Sequence, residues 1–372
     1  MAAYEKKGGK GMRRTVFLGL ILFFSLSVSF LAFGFASAAP PKPIELTFNH
    51  FTPPVGIMAE NYKAWASMIE QRTGGRVKIK FYWSSALFGM KEVLRSISSG
   101  IADIGFMHGA YEPNAAPLGL ILDTTYNADD LWVGQRAHDR LYETIPELKN
   151  EYLKNGVQWI APYTSGTFQW FMRDKWTGSD DFKGKVGRIM GGARTLWYKK
   201  LGLKGVFLPV NEIYEATERG TIWGFENTLN LANDLRHQEV IKTVVLLNSG
   251  VVMGTYTIMN KKKFDSLPKD IQGIILATGK DWGENFVCRT IYEKEQKIIG
   301  EWNKMGVTAA KPSSDDLKKM KKMAKEANLE FAKEQDAKRK TPGQSVKILE
   351  ALWKEVDKAE AELAQKGLPW KK

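Results

Sequence analysis

Asp181-Phe182-Lys183-Gly184-Lys185-Val186-Gly187-Arg188-Ile189 runs on into Met190-Gly191-Gly192 near the middle of a 372-residue chain. A charged turn ends at Lys183-Gly184. A short strand-like piece then delivers a single cation, Arg188, to a glycine pair. A guanidinium at such a junction can hold a carboxylate in two parallel hydrogen bonds. The glycines leave room for a ligand to approach the backbone where a helix begins. An arginine that only pairs with a surface acid fits the same stretch, so the flanking sequence has to arbitrate.

Downstream, the pattern predicts a helix from about Arg194 to Leu201 and a strand from Gly205 to Leu208. A helix then starts at Asn211-Glu212-Ile213-Tyr214, and a strand from Ile222 to Phe225 leads into Glu226-Asn227. Upstream, Val157 to Pro162 and Thr167 to Arg173 read as strands, the second carrying Phe168, Trp170 and Phe171. The first part of the chain has the same rhythm. Ile44 to Phe48 and Val77 to Phe81 alternate as strands do. Between them Ile57 to Thr73 has helical spacing, stopped by Gly74-Gly75. Met90 to Ser99 reads as a helix and Ala102 to Met107 as a buried strand. Repeated β–α–β units imply mostly parallel sheets covered by helices. Ligands in such folds sit at strand C-terminal ends. Here those ends are His50-Phe51 and His108-Gly109-Ala110-Tyr111. One long helical pattern, Asp270 to Met305, crosses Gly283 and Gly300 and is long enough to pass from one domain to another. Residues 314–366 read as helices broken at Thr341-Pro342-Gly343.

The N-terminus reads as a leader. Lys6, Lys7, Lys10, Arg13 and Arg14 precede the uncharged run Val16 to Phe35, and Ala36-Ser37-Ala38 supplies small residues for cleavage. An uncleaved anchor of the same length is the alternative. The chain carries 54 Lys and Arg against 41 Asp and Glu, a net charge of +13. Removing 1–38 takes away five basic residues and one acid, leaving +9. That charge suits an anionic ligand, or simply a basic solvated surface. The Lys-rich stretch 318–340 is interleaved with acids and reads as a helix face, so no nucleic-acid partner is expected. The single cysteine, Cys288, excludes an internal disulfide and a multi-cysteine metal site.

Catalysis finds no support in the motifs. The four histidines, His50, His108, His138 and His237, have no metal-binding spacing. No GxSxG, Walker loop or strand-linked GxGxxG is present. No cofactor and no metal are expected. A secreted hydrolase or isomerase stays open as an alternative and needs an acid–base pair in the cleft.

Five ordered blocks resemble one family. Gly74-Gly75-Arg76-Val77-Lys78-Ile79 with Tyr82-Trp83-Ser84-Ser85-Ala86-Leu87 is similar to "G-R-(I/V)-x-I … Y-P-x-S-Q-L-G". Gly100 to Gly105 is similar to "G-x-(L/A)-D-(I/M)-x". Asp181 to Arg188 is similar to "D-L-K-G-x-K-(I/L)-R", Asn211 to Ala216 to "S-E-V-Y-x-A-L", and Gly224 to Asn227 to "D-G-Q-E-N-P". These blocks resemble the solute receptors of tripartite ATP-independent periplasmic (TRAP) transporters, of the dicarboxylate-receptor type.

The resemblance implies an α/β, two-lobed periplasmic-binding-protein fold with a mostly parallel sheet in each lobe and a long lobe-spanning helix. Lobe I is expected over 40–165 plus 252–292. Lobe II is expected over 166–251 plus 293–372. The resemblance further implies a periplasmic receptor, not an enzyme, that hands a small organic acid to an integral-membrane permease. A sensory receptor of the same build is the remaining alternative. The matching positions make Arg188 the carboxylate clamp and place Asn227, His108 and Tyr111 in the pocket. The family often has a second arginine where this chain has Phe168. Trp223, Thr228 and Phe88 also depart from the pattern. A lost cation and added aromatics favour a monocarboxylate, aromatic or branched, packed on Phe168 and Trp170.

Overall fold

Alternating apolar and charged side chains in Ile44–Asn49 and Val77–Tyr82 build two parallel neighbours, paired from Ile44↔Val77 to Asn49↔Tyr82. They open a computed structural model that describes residues 1–3 and 42–371. The leader expected over 1–38 lies outside the described residues from position 4 onward. Among the described residues no helix is long and apolar enough to cross a membrane.

The strands in chain order are β1 (Ile44–Asn49), β2 (Val77–Tyr82), β3 (Ile104–His108), β4 (Val157–Pro162), β5 (Phe168–Met172), β6 (Val186–Arg188), β7 (Lys204–Val206), β8 (Gly224–Thr228), β9 (Thr243–Val245), β10 (Thr255–Asn260) and β11 (Thr308–Ala310). They form two sheets. The first has the order β2-β1-β3-β10-β4 and the second β11-β9-β5-β8-β6-β7. The expected architecture is present, with one refinement. Each sheet is mixed, because it holds a single reversed strand. β10 runs antiparallel to both β3 and β4. β5 runs antiparallel to both β8 and β9.

The reversed strands are those the chain enters at its first two changes of sheet; the third, through the long helix, leads to β11, which runs parallel to β9. The chain passes from β4 to β5 through 163–167, and from β9 to β10 through 246–254. The two crossing segments pair with each other. Thr167 bridges Val251, Phe168 N donates to Gly250 O at 2.9 Å, and Val252 N donates to Gly166 O at 3.1 Å. Because of the reversal, the N-terminal ends of β5 and β10 meet the C-terminal ends of β1, β3, β6 and β8 at one place.

The long helix is continuous from Lys269–Asp281 through a π-helical segment, Trp282–Val287, into Cys288–Lys304. It is roughly 50 Å long at 1.5 Å per residue. Its first part packs against β4, where a Cβ on Gly279 would fall 2.2 Å from Ile160 O. Its second part reaches the other sheet, where Trp302 stacks edge-on against Phe171. Cys288 is buried and donates to Gly283 O, the i−5 carbonyl of the widened turn.

The C-terminal helices Ser314–Arg339 and Gln344–Lys366, both within the stretch 293–372, pack on different parts of the chain. Ser314–Arg339 packs on Ala193–Lys200, but Gln344–Lys366 packs on Leu131–Thr144, which precedes β4. Glu362 there accepts from Arg140 at 2.6 Å. The apolar stripe of Gln344–Lys366, with Ile348, Leu349, Leu352, Val356 and Ala359 buried, finds its complement there.

Candidate ligand-binding site

The strand ends enclose a cavity of ≈ 30 Å³. Its walls are Phe51 and Met58 after β1, Met90, Phe106 and His108 of β3, Tyr111, Ser165 of the first crossing, Phe168 of β5, Met190 after β6, Val210, Asn227 of β8, Leu231, Val252 of the second crossing and Thr255 of β10. Ten of these fourteen are apolar or aromatic side chains. One water needs about 10–15 Å³. The walls must draw apart to admit an organic acid, and three of them are flexible methionines. A larger groove of ≈ 650 Å³ lies around Lys185, Trp223 and Lys242, at the opposite ends of β6 and β8. It is open to solvent.

Arg188 is wholly buried. It stands directly behind the cavity wall instead of lining it. Its Nε donates to Leu208 O at 3.0 Å and its Nη1 to Glu226 O at 2.9 Å. Its Nη2 donates to the Met190 sulfur, at 3.3 Å. A thioether is a weak acceptor for a charged donor. Asn227 Oδ1 accepts from Thr228 N, while its buried Nδ2 has no partner. The Tyr111 hydroxyl accepts from Val210 N at 3.0 Å, which leaves its proton available. Three donors therefore converge on an apolar cavity with little to receive them.

His108 is placed at the cavity but is already committed. Ala110 N donates to Nδ1 at 3.0 Å, so Nε2 carries the proton and faces the Asp123 carboxylate at 3.3 Å. It forms part of the wall. His50, at the other strand end, turns into the core. It lies 4.7 Å from the Tyr62 ring centroid, and burial lowers its pKa to about 3.

Trp170 is not brought to the cavity. It shares a strand face with Phe168, but two residues of strand carry it about 7 Å along. There it packs on Phe182, Tyr198 and Trp223. Gly187 makes the space, since a Cβ there would fall 2.6 Å from the Trp170 ring. The residues missed in sequence are chiefly Met58, Met90 and Met190, which read as ordinary core. Arg194 and Glu226 were missed too. Both are fully buried, and Arg194 Nη1 lies 3.5 Å from Glu226 Oε2. The other carboxylate oxygen accepts from Met190 N. Burial pushes the Glu226 carboxyl up, and Arg194 pulls it back.

Besides the Tyr111–Val210 bond, a carboxylate joins elements of the two sheets. Asp234 ends the short helix Leu229–Asp234 that follows β8. Its carboxylate accepts from Ile57 N at 2.9 Å and Met58 N at 3.0 Å, the first amides of the helix Ile57–Arg72. That helix has no side-chain cap of its own. Gly56, at φ 92°, lets the carboxylate in: a Cβ there would sit 2.4 Å from it. Burial raises the Asp234 pKa to about 6, and the two amides oppose the shift.

Comparison with known proteins gives one consistent answer. The family model described as bacterial extracellular solute-binding protein, family 7, matches residues 48–335. The 2,3-diketo-L-gulonate-binding periplasmic protein YiaO of Escherichia coli is 23% identical over 66% of this chain and 74% of its own. The C4-dicarboxylate-binding periplasmic protein DctP of Rhodobacter capsulatus is 23% identical over 65% of this chain and 72% of its own. Among solved structures, a TRAP periplasmic solute-binding protein from Desulfovibrio salexigens with bound orotic acid superposes with a TM-score of 0.76. It is 20% identical and covers 85% of this chain and 99% of its own. A TRAP solute-binding protein from Rhodoferax ferrireducens, with copurified benzoate, has the same score and identity over 86% of this chain and 99% of its own. With the model matching most of its length and both sheets in the corresponding fold, the chain belongs to the bacterial extracellular solute-binding protein family 7, the non-enzymatic receptors of TRAP transporters.

Proposed function

We propose that this protein is a periplasmic receptor that closes on an organic monocarboxylate, aromatic or branched, and delivers it to a TRAP-type permease. The leader over 1–38 takes the chain across the inner membrane. The permease of two integral-membrane parts is the expected partner by family.

One observation carries the reading of the site. Arg188 Nη2 and Asn227 Nδ2, both buried, have between them only a sulfur as acceptor, beside a cavity with mainly apolar walls. A carboxylate replacing the Met190 sulfur satisfies both donors, and Tyr111 adds a third. A charge-assisted hydrogen bond contributes about 1.5–3 kcal/mol. Micromolar binding requires about 8 kcal/mol. The apolar walls supply the remainder, at about 25 cal/mol per Å² covered. Phe168 and Phe106 offer flat surfaces for a ring. The benzoate in the Rhodoferax receptor is an acid of this class. Among the described residues, no guanidinium other than Arg188 is offered to the cavity to bind a distal carboxylate, since Arg194 is covered by Phe168.

A calorimetric panel tests the preference. Benzoate and branched-chain monocarboxylates are expected to bind at least tenfold more tightly than succinate or malate. The reverse order would overturn the assignment of ligand class.

Closure gives a separate expectation. Asp234 caps Ile57–Arg72 through the Ile57 and Met58 amides and has no hydrogen bond to Arg188, Asn227 or Tyr111, so it acts on the closed arrangement alone. Losing an N-cap costs about 1 kcal/mol. Asp234→Ala is therefore expected to weaken benzoate binding about fivefold by slowing no encounter but speeding release. Stopped-flow measurement would show this as a change in off-rate, and an unchanged off-rate contradicts the latch.

A further inference from the structure

Arg194 is fully buried at the start of the helix Ala193–Lys200. Its guanidinium carbon lies 3.7 Å from the centroid of Phe168. That distance is contact across the ring face. Nη1 donates to Ser249 O at 3.2 Å and lies 3.4 Å from Ser249 Oγ. Nε and Nη2 have no hydrogen-bond partner. Ser249 in turn donates from its backbone N to Phe168 O at 2.9 Å. The ring and the guanidinium are thus fixed to the same crossing segment. Glu226 touches both arginines, through its carbonyl to Arg188 and its carboxylate to Arg194.

Phe168 lines the cavity, and Arg194 covers one of its faces. Only the other face and the edge remain for a ligand. A cation over one face of a benzene ring draws π density towards itself. The opposite face then carries a weaker negative potential. Two rings normally avoid face-to-face stacking because their negative faces repel. That repulsion is relieved here, most of all for a ring whose π system already bears the charge of a conjugated carboxylate.

We infer that Arg194 is a specificity-determining residue acting through Phe168: it makes the site select flat, conjugated carboxylates over saturated ones of equal size. This rests on the site proposed above, and it narrows the ligand to a planar unsaturated acid. Arg194 is a positioning residue, since it does not reach the ligand itself.

The test compares benzoate with cyclohexanecarboxylate by titration calorimetry. Both carry one carboxylate on a six-membered ring, and only benzoate has a π face. Wild type is expected to prefer benzoate at least tenfold. Arg194→Met combined with Glu226→Gln removes both buried charges together, so neither is left unpaired. In that variant the preference is expected to fall at least fivefold. Arg194→Lys keeps a charge beside Glu226 but loses the flat face, and its preference should fall at least threefold. It serves if the double variant does not fold.

A purely structural role would weaken both probes alike and leave their ratio unchanged, which overturns the inference. Arg188→Ala separates this failure from failure of the site. If that variant loses benzoate and the Arg194 variants keep the wild-type ratio, the site stands and Arg194 is misassigned. If Arg188→Ala binds benzoate as wild type does, the site itself is wrong and this inference falls with it. The same follows if wild type binds neither probe.

Discussion

Arg188→Ala is expected to raise the Kd for benzoate at least a hundredfold. The guanidinium lies behind the cavity wall with one donor, Nη2, given to a weak acceptor, the Met190 sulfur. A factor of 100 is about 2.7 kcal/mol, within the range of one or two charge-assisted bonds lost in a buried site. The substitution also acts on the fold. Leu208 O and Glu226 O lose their donors, and each orphaned buried carbonyl costs about 1–3 kcal/mol. The variant should therefore melt several degrees lower while keeping its far-UV circular dichroism. Arg188→Lys separates the two effects. A lysine restores the charge but cannot serve two carbonyls and a carboxylate from one planar fork. It should recover part of the melting temperature and little of the affinity. Wild-type affinity in Arg188→Ala, measured by calorimetry on folded protein, would sink the proposed site.

Much of this arrangement is legible in sequence because strand C-terminal ends are. The β–α–β rhythm places His108, Tyr111, Arg188 and Asn227 at such ends, and the fold brings their segments to one place. Periodicity carries no sign of direction between sheets, so the reversed strands β5 and β10 are not visible in it. Trp170 shows the consequence. Reading Phe168 and Trp170 as one aromatic face is right for the strand, but only the end residue meets the cavity. The helix after β8, with Asp234, is six residues long and has no periodic stripe to reveal it. Arg194 is hidden for another reason. On a helix with Lys199 and Lys200 it reads as one of several solvated cations. Its burial depends on Phe168 and Ser249, which lie far away in sequence. The three cavity methionines carry no signal at all, since methionine fills cores everywhere.

Glycines on the long helix give the second large expectation, and sequence alone does not rank them. Gly283 and Gly300 read as tolerated breaks in one helical pattern, which also contains Gly273 and Gly279. In a helix interior glycine costs about 1 kcal/mol relative to alanine, so propensity alone favours a methyl group at each. At Gly273 and Gly300 nothing lies within 4 Å of the added Cβ. Gly273→Ala and Gly300→Ala are expected to stabilise by about 0.5–1 kcal/mol each. At Gly279 the Cβ would fall 2.2 Å from Ile160 O and 2.8 Å from the Ala161 side chain. The obstacle is β4 backbone, which cannot rotate away as a side chain can. Overpacking of this kind costs about 1–3 kcal/mol even where the neighbours yield. Gly279→Ala should lose about 3 kcal/mol, against a small gain at the two open positions. Denaturant melts of the three variants check this in one experiment, and a stabilised Gly279→Ala would contradict the seat on β4. A Cβ on Gly283, within the π-helical segment, would fall 2.7 Å from the Pro162 ring, so the helix meets β4 at two glycines, one before the widened turn and one inside it. Beyond that segment the same helix packs on the other half, through Trp302. A helix lifted off β4 at Gly279 must tilt at its far end as well. Gly279→Ala should therefore change benzoate release along with stability, whereas Gly273→Ala and Gly300→Ala leave it alone.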